Sequence, residues 1–131
     1  MSDLLVETPN DILLDGNQRF GPEVRALHSG NGCTAIYGFS NKEFYDLFCK
    51  KSEKALAPYP LVKGYLRNQI KDAGDSLHLV VVDAEGPHES DLNAATMQSV
   101  LEAQENRSSQ VAVSFRLTRI DQSQAYRVEE N

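Results

Sequence analysis

Five side chains between positions 83 and 91 form the densest set in this chain that could do chemistry: Asp83, Glu85, His88, Glu89 and Asp91. Carboxylate oxygens in that number suit hard cations such as Ca²⁺, Mg²⁺ or Mn²⁺, and a histidine among them would admit a transition metal. The set follows an apolar run, and ligands in open α/β sheets gather beyond the carboxyl ends of strands. Read so, it is the centre of a metal-dependent enzyme. The spacing, however, lacks the glycine and terminal glutamate of a calcium-binding loop. The plainer reading is that these acids precede a helix and complement the partial positive charge at its N-terminus. That reading is preferred, so no metal, no cofactor and no catalytic residue is expected.

Other reactive side chains offer less. His28 leads into Ser29, Gly30, Asn31 and Gly32, but the run has neither the Lys-Ser/Thr ending of a phosphate loop nor the glycine spacing of a dinucleotide site. His78 sits inside an apolar run and reads as a hydrogen-bonded strand residue. Cys33 and Cys49 make no CxxC pair and read as inert core thiols of a reducing compartment.

A second set is basic. Lys50, Lys51, Lys54, Lys63, Arg67 and Lys71, interleaved with Tyr45, Tyr59 and Tyr65, have the types that grip nucleic acid. A formal net charge of −6 is opposite to the basic footprint such a function needs, so a nucleic-acid mimic or binder is the weaker alternative. The charges are nevertheless unevenly spread. Residues 72–106 carry eight carboxylates and no Lys or Arg, whereas residues 41–71 carry seven cations and three anions. Such polarity bears on steering and association rather than on chemistry.

The elements that must position these residues follow from periodicity. A chain of 131 residues, 40% hydrophobic, is expected to fold as a single domain over 1–131, with polar ends near 1–10 and 121–131 loosely ordered. Cys33–Phe39 alternates as a strand. Ser40 with Glu43 reads as a capping box opening a helix that turns Phe44, Leu47 and Phe48 inward. A second helix is expected from Pro60, with Leu61, Val62, Tyr65, Leu66 and Ile70 as its stripe. Leu77–Val82 is almost wholly apolar and reads as a central strand buried on both faces. Ser90 or Asp91 is expected to cap a third helix carrying Leu92, Ala95, Met97, Val100 and Leu101, and Val111–Leu117 alternates as one half-exposed strand, near an edge or antiparallel. Ile12–Leu14 reads as a short strand or docked arm, Pro22 as the start of a helix ending before Gly30 with Val24 and Leu27 inward, and Ala125, Tyr126 and Val128 as a short last strand. Leu79, Val81, Phe44, Phe48, Leu66 and Phe115 are expected to meet in one core. The result is a small α/β or α+β mixed-sheet sandwich, in the order strand, helix, helix, strand, helix, strand after an N-terminal arm.

The run from Thr34 to Phe44, an apolar strand ending in Gly-Phe-Ser before a helix, is similar to the strand-to-helix step of the SseB-type (enhanced serine sensitivity) domain. Leu79 to Pro87 resembles that family's later strand and turn, with Asp83 and Ala84 in place of its Asn-Pro pair. The resemblance spans roughly residues 17–103 and implies no defined chemistry, only an accessory role. The expectation is therefore a small cytoplasmic, non-catalytic interaction module that binds a protein partner or itself, with no membrane segment and with Lys50, Lys51, Lys54, Tyr59, Tyr65 and Arg67 at its binding face. The first residues lack the basic start and apolar run of a secretory signal.

Overall fold

The two most apolar runs of the chain lie side by side. In the computed structural model, which describes residues 4–26, 33–72, 76–87, 89–120 and 125–130, Cys33–Phe39 and Leu77–Val82 pair in parallel, Cys33 opposite Leu77 and Gly38 opposite Val82. In chain order the early strands are β1 (Leu4–Glu7), β2 (Asp11–Asp15), β3 (Gln18–Arg19), β4 (Glu23–Ala26) and β5 (Cys33–Phe39). Helix α1 (Lys42–Lys51), strand β6 (Ala57–Pro60) and helix α2 (Lys63–Asp72) lead to β7 (Leu77–Val82). Then come β8 (Asp91–Thr96), α3 (Met97–Glu105), β9 (Gln110–Val113), β10 (Phe115–Arg119) and β11 (Ala125–Glu130). The large sheet runs β3-β2-β5-β7-β8-β10-β11-β4, with β6 on the other side of β2; β1 and β9 form a separate antiparallel ladder. It is a small α+β domain on a mixed sheet, as the periodicity implies.

The sheet curls back on itself. Phe20, between β3 and β4, donates its N–H to the Leu13 carbonyl (2.9 Å) and accepts from the Tyr37 N–H (3.0 Å), so the chain passes beside β5 on its way to pair with β11. Gly21 makes that passage possible: a Cβ there would lie 1.8 Å from the Ala35 carbonyl oxygen. Strand alternation then divides the core in two. Inside the curl, Tyr37, Phe39, Leu79, Val81, Leu117 and Tyr126 pack with Phe48 of α1. On the opposite face Ile36, Val80, Val82 and Ala95 lie under Leu66 of α2 and Met97, Val100 and Leu101 of α3. Leu79–Val82 is accordingly buried on both faces. The single convergence expected of six residues is therefore split: Leu66 belongs to the second cluster, Phe115 packs partly buried against the first, and Phe44 is exposed.

Several local expectations change for identifiable reasons. Glu23–Ala26 is strand rather than helix, because parallel pairing with β11 takes up its backbone; Leu27 and Gly30 lie outside the described residues. Asp91–Thr96 is also strand, held between β7 and β10, with Leu92 and Ala94 on one face and Ala95 on the other. The third helix starts only at Met97, where the Thr96 hydroxyl accepts from the Ser99 N–H. Ala57–Pro60 pairs with β2, so α2 begins three residues beyond Pro60 and leaves Val62 at the surface. Prolines 58 and 60 blunt that edge strand. The run 111–117 breaks at Ser114 into β9, which pairs with β1, and β10, which pairs with β8 and β11. Its inward parity survives: Val111, Val113 and Leu117 are buried. Both ends carry strand, β1 and β11.

Candidate functional site

The acidic residues are drawn apart by the elements that hold them. Asp83 follows β7 in a left-handed conformation (φ 54°), and its N–H continues the parallel ladder by donating to the Gly38 carbonyl at 2.9 Å. Its carboxylate accepts from the Ser40 N–H at 2.8 Å and the Ser40 hydroxyl at 2.7 Å. Asp83 is therefore a clamp that ties the ends of β5 and β7 together. Burial pushes its pKa up, the two Ser40 hydrogen bonds pull it back, and the charge of Glu7 adds to the rise. Because Ser40 is engaged there, the α1 cap passes to Asn41, whose side chain accepts from the Phe44 N–H at 3.2 Å.

Glu89 accepts the Glu85 N–H at 2.9 Å, which closes the loop locally. The Tyr126 hydroxyl donates to the Glu89 carbonyl at 2.5 Å and ties that loop to β11. Asp91 points outward from β8 and meets Arg116 at 2.9 Å. His88 lies outside the described residues. Among the described residues no three His, Cys, Asp or Glu side chains are placed to share a metal ion. Cys33 and Cys49 are free and half-buried, and burial pushes both thiols up, which keeps them in the unreactive form.

The basic set is likewise distributed. Lys50 and Lys51 end α1, where they complement the negative end of its dipole. Lys54 reaches Asp15 at 3.2 Å. Tyr59 stands exposed on β6, whereas Tyr65 is half-buried with the Arg19 guanidinium 3.6 Å over its ring. Arg67 meets Glu105 at 2.9 Å, across the α2–α3 contact. Lys51 shares a shallow hollow with Glu85 and Glu89 of the acidic loop. The charge separation seen along the chain is thus partly cancelled across the fold. The ion pairs themselves are exposed and contribute little stability.

What the periodicity missed is the orientation of α1. The helix turns Phe48 fully inward, with Tyr45 and Cys49 beside it, and leaves Phe44 and Leu47 at 38% and 39% exposure. Phe48 is gripped by Tyr37 (ring centroids 4.5 Å), Phe39 (5.5 Å) and Phe20 (6.3 Å). The signal was present: Phe44, Tyr45, Leu47, Phe48 and Cys49 are five apolar side chains within six positions, more than one stripe of a helix can bury. The outer face of α1 is therefore an apolar pair beside two cations.

No family model matches the chain, and neither a curated protein nor a solved structure does. Among the described residues no helix is long and apolar enough to cross a membrane.

Proposed function

We propose that this protein is a non-catalytic binding module that engages a protein partner through the outer face of α1. The observation that carries the reading is the pair Phe44 and Leu47, one helical turn apart and turned to water on a helix already docked by its other side. Neither Lys50 nor Lys51, at the end of the same helix, has an ion pair with another described residue. An apolar pair flanked by cations fits a partner that presents an apolar hollow with an acidic rim. Apolar side chains anchor such a contact, while the charges set its on-rate and its sensitivity to salt. Three of the residues that prompted a catalytic reading, Asp83, Glu89 and Asp91, act as fasteners within the fold, which also favours binding over chemistry. The accessory role implied by the SseB-type resemblance points the same way. The proposed compartment is the reducing cytosol, where the two thiols remain free.

Photo-crosslinking tests the reading in cells. A benzophenone side chain at position 47 should give a discrete protein adduct, and one at Gln98, exposed on α3, should not. With the purified partner, Phe44→Ser combined with Leu47→Ser should weaken binding at least tenfold, about 1.4 kcal/mol, while the melting temperature barely moves. Binding that is indifferent to the double substitution would remove α1 from the argument, and with it this reading.

A further inference from the structure

A cleft of about 850 Å³ opens beyond the carboxyl end of the central strand β5, lined by no residue of the acidic set and by Lys63 alone of the basic one. Ser40 lines it from the end of β5, Glu7 from the N-terminal arm, Val62 and Lys63 from the start of α2, and Gln104 and Arg107 from the end of α3. These walls are tied to one another. The Gln104 amide donates to the Leu61 carbonyl at 3.2 Å and to the Pro9 carbonyl at 3.4 Å. Thr8 donates its N–H to the Ser109 carbonyl (3.0 Å) and its hydroxyl to the Ser108 carbonyl (2.9 Å). A cleft with three of its four walls joined by these hydrogen bonds is formed before any ligand arrives, as small-molecule sites usually are.

Two features give it a chemistry. The first is sign. Lys63 and Arg107 line the cleft against one carboxylate, Glu7, with the Asp83 carboxyl behind Ser40, so the lining itself is net positive in a chain whose formal net charge is −6. Neither cation has an ion pair with another described residue. The second is the backbone of Arg107. It closes α3 in a left-handed conformation (φ 54°), with the Ser108 N–H on the Ala103 carbonyl at 2.8 Å and its own N–H on the Gln104 carbonyl at 3.2 Å. That is the helix-ending turn in which glycine is favoured, because it alone takes the left-handed conformation without a clash. The turn itself needs no side chain here. Arg107 thus holds a position that glycine would fill with less strain, and strain of this kind clusters at binding sites.

We infer that the cleft binds a small organic anion, with Arg107 and Lys63 supplying the positive charge. The guanidinium fork matches a phosphate or a carboxylate in two-point fashion. The volume lies within the range of metabolite sites, and exposed Val62 offers apolar contact to the body of the ligand. This site is separate from the outer face of α1 and stands or falls independently of it.

The test uses the full chain labelled with ¹⁵N and two probes, ribose 5-phosphate and citrate, which distinguish a phosphate ester from a carboxylate. One of them, at millimolar concentration, should produce saturable amide shifts confined to Lys63 and to residues 107–110. Arg107→Gly should weaken that binding at least tenfold and yet raise the melting temperature by about 3 °C, since the strain is relieved. Lys63→Ala should also weaken it, whereas the Phe44→Ser, Leu47→Ser protein should bind as the unaltered chain does. Saturable shifts from neither probe, or shifts unchanged by Arg107→Gly, would overturn the inference.

Discussion

Helices α1 and α3 are ten and nine residues long and are put to opposite uses. The apolar side chains of α3 fall at Met97, Val100 and Leu101, on the stripe an i, i+3, i+4 repeat makes, and together with Ala103 they are buried on the sheet. Those of α1 are spread around more of the cylinder, and only Phe48 is buried. A helix with one narrow stripe has nothing left for a partner, so α3 serves as cover for the core. A helix with apolar side chains on two sides needs two surfaces, and the domain provides α1 with only one. The attachment of α1 is correspondingly local, a knot of aromatic rings around Phe48 and the Asp83–Ser40 clamp just before its cap.

The largest effect that could break this contrast is a charge placed under α3. Val100 is fully buried among Val80, Ala95 and Leu66. Val100→Asp leaves a carboxylate there without a partner, a loss above ~4 kcal/mol, comparable to the whole stability of many domains. Urea titration followed by circular dichroism should find the variant unfolded, or close to it, without denaturant. A variant that unfolds at the same urea concentration as the parent would mean that α3 is not the structural helix.

Two adjacent residues sharpen the same contrast within α1. Phe48→Ala removes the ring that the aromatic knot encloses and should cost about 3–5 kcal/mol. Leu47→Ala, one position earlier, should change stability by no more than ~0.5 kcal/mol, because its side chain already meets water. Equal losses in the two variants would show that α1 is rotated from the position described.

What was legible in the sequence divides along similar lines. Strand β5 could be read from its alternation and β7 from its short apolar run, whose lack of alternation implied burial on both faces. Strand β8 could not. Ser90 and Asp91 look like a cap, the alanines of Asn93–Thr96 suit a helix, and only the neighbouring strands β7 and β10, remote in sequence, make the segment extended. The rotation of α1 failed for a related reason. A stripe through Phe44, Leu47 and Phe48 and one through Tyr45, Phe48 and Cys49 are equally good locally. Phe20, Tyr37 and Phe39 choose between them from three positions along the chain. Of the acidic loop, Asp83 drew attention as a charge before a helix, whereas its bond to Ser40 left no signal, since Ser40 reads as a cap. The cleft left almost no trace, because an arginine at the end of a helix carries no hint that its backbone is left-handed.

The smallest effect concerns the clamp that anchors the start of α1, and it turns on sign. Burial holds the Asp83 pKa above its ordinary value. A carboxyl group with a raised folded-state pKa takes up its proton in the folded protein before it does so in the unfolded chain. Its contribution to stability is therefore fully present below the unfolded pKa and is lost as pH rises through the folded one. This is the reverse of an acid held ionised by a cation. Asp83→Asn removes the titration but leaves the other carboxylates in place, so the contributions of all that do not touch Asp83, Glu7 excepted, cancel in the comparison of the two proteins. Stability measured by urea at intervals across the carboxylate range should show the difference moving in favour of the parent as the solution is acidified, and flat above that range. A difference that moves against the parent on acidification would mean that the two Ser40 hydrogen bonds outweigh burial, so that α1 is anchored by an ionised clamp which acid would release.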